Sequence, residues 1–233
     1  MQIQFPQDFK ALIVGSGGAL GNAFVDYLKT ETSCAHVASL SRSDGSGFDL
    51  ENPESIESVV QGLREQGPFH LVVDATGALT IDDMGPEKSL SRLDADALHR
   101  SFSINAIGPI LLLRHLATLI ASGDTIYAKL SARVGSISDN QKGGWYGYRA
   151  SKAALNMFLQ TAAIELQRKN PRLRVVALQP GTVRSRLSEP FQANVTRLLE
   201  PSESVAGMMQ SMLSLRPKVG AYFIDYQGQE ILW

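Results

Sequence analysis

Short apolar runs alternate with helical patterns along the whole chain, and this alternation leaves few folds open. Residues 10–14, 35–40, 69–74, 124–130, 173–178 and 222–225 are near-continuous apolar runs of the kind that fill buried strands. Between them, residues 22–30, 53–66, 94–106, 108–122, 145–169 and 202–215 read as helices. Phe24, Val25 and Leu28 have helical spacing in the first of these, and Asn52 and Pro53 open the second as cap and first helical residue. Strands apolar along their whole length are buried on both faces. The pattern therefore calls for a doubly wound α/β fold, a parallel sheet with helices on both faces. No linker, repeat or low-complexity tract interrupts the sequence, and the Gly/Ser-rich stretch 41–49 is short enough to be a surface connection. A single domain, 1–233, is expected.

Composition narrows the partners. The chain is 44% hydrophobic and 19% charged, with 22 basic and 23 acidic residues and a net charge of −1. That balance removes the electrostatic case for nucleic acid or an anionic membrane surface. Cys34 is the only cysteine and has no internal disulfide partner, and no Cys/His cluster has metal-ligand spacing, so no metal is expected. Residues 1–10 are polar and carry Asp8, unlike a signal peptide. Residues 107–121 are interrupted by Arg114 and His115 and are too short to span a bilayer. A cytoplasmic protein acting on a small molecule is the expectation.

The turn after the first strand reads Gly15-Ser16-Gly17-Gly18-Ala19-Leu20-Gly21. A pyrophosphate needs free N–H groups at a helix N-terminus and little side chain in its way. Gly15 allows the tight turn, Gly17 and Gly18 keep the approach open, and Gly21 lets the helix lie close to the sheet. An NAD site would carry an acidic residue about 20 residues further on, at the end of the second strand. Here Leu40 is followed by Ser41 and Arg42, a hydroxyl and a guanidinium, which suit a 2′-phosphate. NADP(H) is therefore expected over NAD(H), against the plainer reading of Arg42 as a solvated loop residue. Asp49 suits either the adenine amino group or a turn cap.

Tyr148 and Lys152 stand at i and i+4, on one face of the long helix. A tyrosine with its ordinary pKa of about 10 must be lowered by about 4 kcal/mol to work as an acid–base group near neutrality. A neighbouring ammonium favours the phenolate, and a positively charged nicotinamide adds to that field.

With these motifs in this order, the chain resembles the short-chain dehydrogenase/reductase family over nearly its whole length. Asp74-Ala75-Thr76-Gly77 resembles the family's Asn-Asn-Ala-Gly, and Ser-Ile-Asn105-Ala-Ile-Gly-Pro resembles the segment that carries its helix asparagine. Pro180-Gly181-Thr182-Val183 matches its Pro-Gly turn. The run from Ser131 to Lys152 is similar to C-factor-like and carbonyl-reductase-like members. The resemblance implies a Rossmann-type, mostly seven-stranded parallel sheet, with a cofactor half near 1–130 and the catalytic helix and substrate lid near 131–233. It also implies that Ala75, Thr76, Gly77, Pro180, Gly181 and Val183 line the cofactor, the backbone near Val183 holding the nicotinamide carboxamide. Lys152 would hold the nicotinamide ribose hydroxyls, and Asn105 would support a water relay. The family pairs through helices corresponding to 108–122 and 145–169, which implies a homodimer or homotetramer.

Two departures stand out. Ala19 takes the place of the family's second glycine, and Ala132 takes the place of the serine that polarises the substrate carbonyl. Ser131 is the first choice to replace that serine, if the strand end bulges, with Ser136 and then Ser138 as the other hydroxyls. Residues 187–199, with Pro190, Phe191 and Val195, would form a lid for a partly hydrophobic substrate, or pack on the body. Arg184 and Arg186 suit a carboxylate, a phosphate or solvent. Trp145 and Tyr146 suit a pocket wall or loop packing; His36, His70, His99 and His115 are scattered and read as surface or capping residues. Met208, Met209 and Met212 have helical spacing and read as core or an oligomer contact.

The expected activity is hydride transfer between NADP(H) and a carbonyl or alcohol, with Tyr148, Lys152, Asn105 and Ser131 as the catalytic set. A second reading, suggested by Ala19 and Ala132, is a cofactor-binding signalling protein with vestigial catalysis. A third, a sugar-nucleotide epimerase, needs more chain after Gly181 than a short lid, one helix and one strand.

Overall fold

The computed structural model describes residues 2–82, 84–194 and 197–233. Six strands, β1 (Phe9–Val14), β2 (Cys34–Leu40), β3 (Leu71–Asp74), β4 (Thr125–Leu130), β5 (Leu173–Gln179) and β6 (Tyr222–Asp225), pair in parallel in the order β2-β1-β3-β4-β5-β6. Successive residues of a strand point to opposite faces. Leu12 accordingly joins the core under α2 (Pro53–Gly62), α4 (Gly108–Leu116) and α5 (Tyr146–Leu166). Ile13 joins the core under α1 (Ala19–Thr30) and α6 (Pro201–Leu213). Helices thus cover both faces, as the apolar strands require. Phe24 and Leu28 of α1 are fully buried, each contributing about 1.5–3 kcal/mol through burial. Met208, Met209 and Met212 are core residues on the same side.

The sheet has six strands among the described residues, and the seventh implied by the family resemblance is absent. The segment that runs past β2 spends its backbone groups locally. Phe48 N–H donates to Ser46 Oγ at 3.3 Å and Asp49 N–H to Ser55 Oγ at 2.9 Å. These donors are therefore not available to a ladder beside β2. At the opposite edge, the chain after β6 turns at Gly228 and returns antiparallel, with Ile231 N–H on Phe223 O at 2.8 Å.

Helix ends fall where backbone chemistry demands. Asn52 caps α2 through its side chain, with Pro53 at the first helical position, but the helix stops at Gly62, short of the expected 66. α3 (Ala95–Phe102) runs through a π-helical turn, Ser103–Ile107, into α4. This joined run, Ala95–Leu119, is by length and composition able to cross a membrane, although the expected segment 107–121 was not. In the fold, 44% of its most apolar window is buried. Pro109 has no N–H to offer the Asn105 carbonyl, so an uninterrupted α-helix is not available there.

Strand order reverses around β1, which lies between β2 and β3. In an open parallel sheet the crevice at the strand ends, at that reversal, is where ligands bind. The glycine turn leaves β1 at this point and residues 75–78 leave β3 beside it.

Candidate active site

The two turns at the crevice touch. Gly15 has φ +81°, and a Cβ there would lie 3.0 Å from Ala75 C and 3.1 Å from Thr76 N. A Cβ on Gly21 would lie 2.1 Å from Gly15 O, so only glycine lets α1 start this close to the turn. Gly15 and Ser16 N–H both donate to Leu40 O, and Gly18 N–H donates to Gly15 O, which fixes the loop. α1 opens with no side-chain cap and no acidic residue in its first turn. Its first N–H groups, at Ala19 and Leu20, are the kind that bind a phosphate. Ala19 is exposed, its methyl outside the contact between the two turns.

At the end of β2, Arg42 is exposed and makes no hydrogen bond or ion pair with any described residue. Ser41 is buried, its N–H on Asp44 Oδ2 at 2.6 Å. Asp44, which the sequence did not single out, thus sets a carboxylate beside Ser41, occupied by the backbone N–H groups of Ser41 and Ser46. Asp49 Oδ1 accepts Glu51 N–H at 2.9 Å, the contact of a turn cap.

On the other side of the crevice, Asn105 clamps Ala78: its Oδ1 accepts Ala78 N–H at 3.0 Å and its Nδ2 donates to Ala78 O at 2.8 Å. A Cβ on Gly77 would lie 3.2 Å from Asn105 Oδ1 and 3.3 Å from Lys152 Nζ. Thr76, Gly77, Asn105 and Lys152 therefore meet in one small volume. After β5, Gly181 has φ +78°, and Ser204 Oγ donates to Pro180 O at 2.7 Å. Val183 bridges to Leu199 and is buried, yet its N–H has no hydrogen-bond partner among the described residues. A buried free donor at this place suits a carboxamide oxygen. Tight glycines, an uncapped helix start and a Val183 N–H without a partner among the described residues together fit a nicotinamide dinucleotide.

Lys152 is 3% exposed, and its Nζ donates to Leu130 O at 3.1 Å and sits 5.7 Å from the centre of the Tyr148 ring. Burial drives the Lys152 pKa down to about 7; Lys129 pushes the same way and Asp74 opposes. Tyr148 moves opposite to expectation. Burial pushes its hydroxyl up to about 12, although part of its surface reaches solvent. An ammonium whose own charge is disfavoured cannot by itself hold a phenolate at neutral pH. Trp145 packs its ring edge-on to Tyr148 at 6.3 Å, in a left-handed backbone conformation. Glu87, absent from the sequence reading, caps this end of α5: its Oε2 accepts Gly147 N–H at 3.0 Å and its carbonyl accepts Trp145 N–H at 2.5 Å.

The three candidate serines part company. Ser131 Oγ donates to Asn156 Oδ1 at 2.7 Å inside the protein. Ser138 Oγ donates to Trp233 O at 2.8 Å. Ser136 Oγ accepts Asp139 N–H at 3.0 Å, and its own proton has no acceptor among the described residues. Ala132 is partly exposed beside them. Arg184 pairs with Glu200 at 2.8 Å, while Arg186 is exposed. Of the segment expected as a lid, a 3-10 turn spans Glu189–Asn194; Val195 and the Phe191 side chain lie outside the described residues. A cavity of about 540 Å³ between α1 and the start of α6 contains neither Tyr148 nor Lys152.

The other residue that sequence reasoning missed is Lys129. It lies in the apolar run of β4 and is fully buried against Asp74, with Nζ to Oδ1 at 2.9 Å. The signal was available: a lysine inside an apolar strand needs a buried acidic partner.

A parallel doubly wound sheet with a glycine turn at its switch point and a buried Tyr–Lys pair defines a nucleotide-dependent oxidoreductase. Comparison with known proteins agrees. The chain belongs to the short chain dehydrogenase family, which it matches over residues 10–196. It is 31% identical to the C-signal protein of Myxococcus xanthus over 168 residues, covering 72% of this chain and 94% of that one. It is 29% identical to 1-hydroxy-2-glutathionyl-2-methyl-3-butene dehydrogenase of a Rhodococcus species over 188 residues, 80% of this chain and 79% of that one. A short-chain dehydrogenase/reductase structure from Burkholderia multivorans with bound NADP is 25% identical, with a TM-score of 0.79 over 97% of this chain and 100% of that one.

Proposed function

We propose that this oxidoreductase reduces a small, partly hydrophobic carbonyl compound, or oxidises the matching alcohol, with NADP(H) in preference to NAD(H). The observation that carries the reading is the convergence of Lys152 Nζ, Gly77 and Asn105 next to Tyr148 at the switch point. Bound NADP(H) supplies or accepts the hydride. Tyr148 transfers the proton to or from the substrate oxygen, and Lys152 holds the ribose hydroxyls and biases Tyr148 toward phenolate. Asn105 holds the 78 position and, through its carbonyl, a water for the relay. Ser136 is the hydroxyl with a proton to offer the substrate oxygen. In carbonyl reduction Tyr148 starts protonated, as its pKa of about 12 has it; in alcohol oxidation a bound oxidised nicotinamide would add its positive charge to that of Lys152 in lowering it. Both cofactor and substrate are held by one domain, with the 187–199 segment as lid.

Tyr148→Phe should lower turnover by about 10² to 10⁴, the usual worth of a general acid, while NADPH still quenches protein fluorescence with wild-type affinity. Undiminished turnover rejects the assignment.

The alternative, a cofactor-binding signalling protein, draws on the 31% identity to C-signal and on Ala132. NADPH bound tightly but left unoxidised across a panel of aldehydes and ketones would favour it. Exposed Ile107 at the start of α4 and Met157, Phe158 and Ile164 on α5 support pairing of two chains through these helices. Light scattering should return at least a dimer mass; a monomer mass at micromolar concentration rejects the pairing.

A further inference from the structure

The buried Asp74–Lys129 pair is an expensive feature for the centre of a sheet. Both side chains are 0% exposed. Asp74 Oδ2 and the neighbouring Tyr127 hydroxyl have no hydrogen-bond partner among the described residues. A buried ion pair with an unpartnered carboxylate oxygen adds little stability, because desolvation offsets the attraction. Its geometry shows what it holds instead. Lys129 Nζ donates to Thr76 O at 2.6 Å and Thr76 Oγ1 at 2.8 Å, besides Asp74 Oδ1. Asp74 Oδ1 in turn accepts Thr76 N–H at 2.9 Å and the Thr76 hydroxyl at 2.5 Å. Thr76 is thereby locked, with Gly15 packed on one side and the Gly77–Lys152–Asn105 contact on the other.

We propose that Lys129, paired with Asp74, is a positioning residue for the Tyr148–Lys152 couple: it locks the 74–78 turn against Lys152 and places a second buried ammonium behind the first. The proposal rests on reading Tyr148 and Lys152 as the acid–base couple. The charged and titratable groups around Lys152 are Tyr148 on its own helix, Lys129 on β4 and Asp74 on β3, with Tyr127 behind Asp74; Asn105, from the π turn, is neutral. Lys129 opposes the Lys152 charge more than Asp74 favours it. The pair therefore makes the field at Lys152 more positive, which eases loss of its proton.

The test follows Lys152 itself in the cofactor-free protein, through ¹³C-labelled lysine Cε resonances assigned with Lys152→Met. In Asp74→Asn/Lys129→Met, which removes both charges, the Lys152 titration should move up by about 0.5 pH unit or more. In Lys129→Gln, which keeps the carboxylate and a donor for Thr76, it should move up at least as far, so a failure of the double variant to fold leaves a reading. A purely structural pair would lower the melting temperature and leave this titration in place. A titration that stays or moves down in the folded variants overturns the proposal. Where turnover is measurable, the acid limb of alcohol oxidation moves up with it. Upward movement without turnover in the wild type supports the positioning role and rejects the carbonyl-reductase reading instead.

Discussion

Ser131 and Asn156 are joined by a buried hydrogen bond of 2.7 Å from the serine hydroxyl to the asparagine side-chain oxygen. The bond ties the end of β4 to the face of α5 one turn beyond Lys152. It also commits the proton of the hydroxyl that was the first choice to stand in for the serine missing at Ala132. Asn156 Nδ2 has no partner of its own among the described residues, so its oxygen depends on Ser131.

Ser131→Ala should therefore act on stability: an unpartnered buried oxygen costs about 1–3 kcal/mol in denaturant unfolding, with kcat near wild type. Ser136→Ala should do the reverse, lowering kcat by about 10² for loss of one donor to the substrate oxygen. The opposite pattern would return the role to Ser131.

Lys152 gives a signed dependence of stability on pH. Its folded pKa of about 7 lies below the ordinary lysine value of 10.5. Between those values the unfolded chain binds more protons than the folded one, so this group makes stability rise with pH, by up to about 1.4 kcal/mol per pH unit. Below pH 7 the penalty for burying the charge is fully present. Urea unfolding of wild type and Lys152→Met between pH 7 and 9 should show the wild type gaining relative to the variant. Parallel curves would mean that the lysine is not desolvated as the structure has it.

Arg42, just after β2, is exposed and has no ion-pair partner among the described residues. Arg42→Ala should weaken NADPH binding about tenfold or more and leave NADH binding nearly unchanged, since a charge-assisted bond contributes about 1.5–3 kcal/mol. Equal losses for the two cofactors would instead implicate Asp44 and the fold of the 41–46 loop.

Much of this protein can be read from order along the chain. The alternating runs determine a parallel, doubly wound sheet, because segments apolar on both sides have no other place to go. Gly15 and Gly21 mark the phosphate turn, and the four-residue spacing of Tyr148 and Lys152 puts them on one helical face. All of these are local properties: periodicity, a backbone conformation, a helical repeat. What depended on distant groups stayed hidden. Glu87 meets Gly147 across 60 positions and Asp74 meets Lys129 across 55, so neither cap nor ion pair has a spacing to recognise. Which serine keeps a free proton was decided by partners at Asn156, Trp233 and Asp139. The direction in which Tyr148 moved was decided by desolvation, which exists only once the chain has packed around it. Sequence alone determined the parallel, doubly wound arrangement, the glycine turn and the shared helical face of Tyr148 and Lys152; tertiary structure alone decided the strand count, the charge states and the hydrogen bonds around that pair, because burial and long-range pairing arise only on folding.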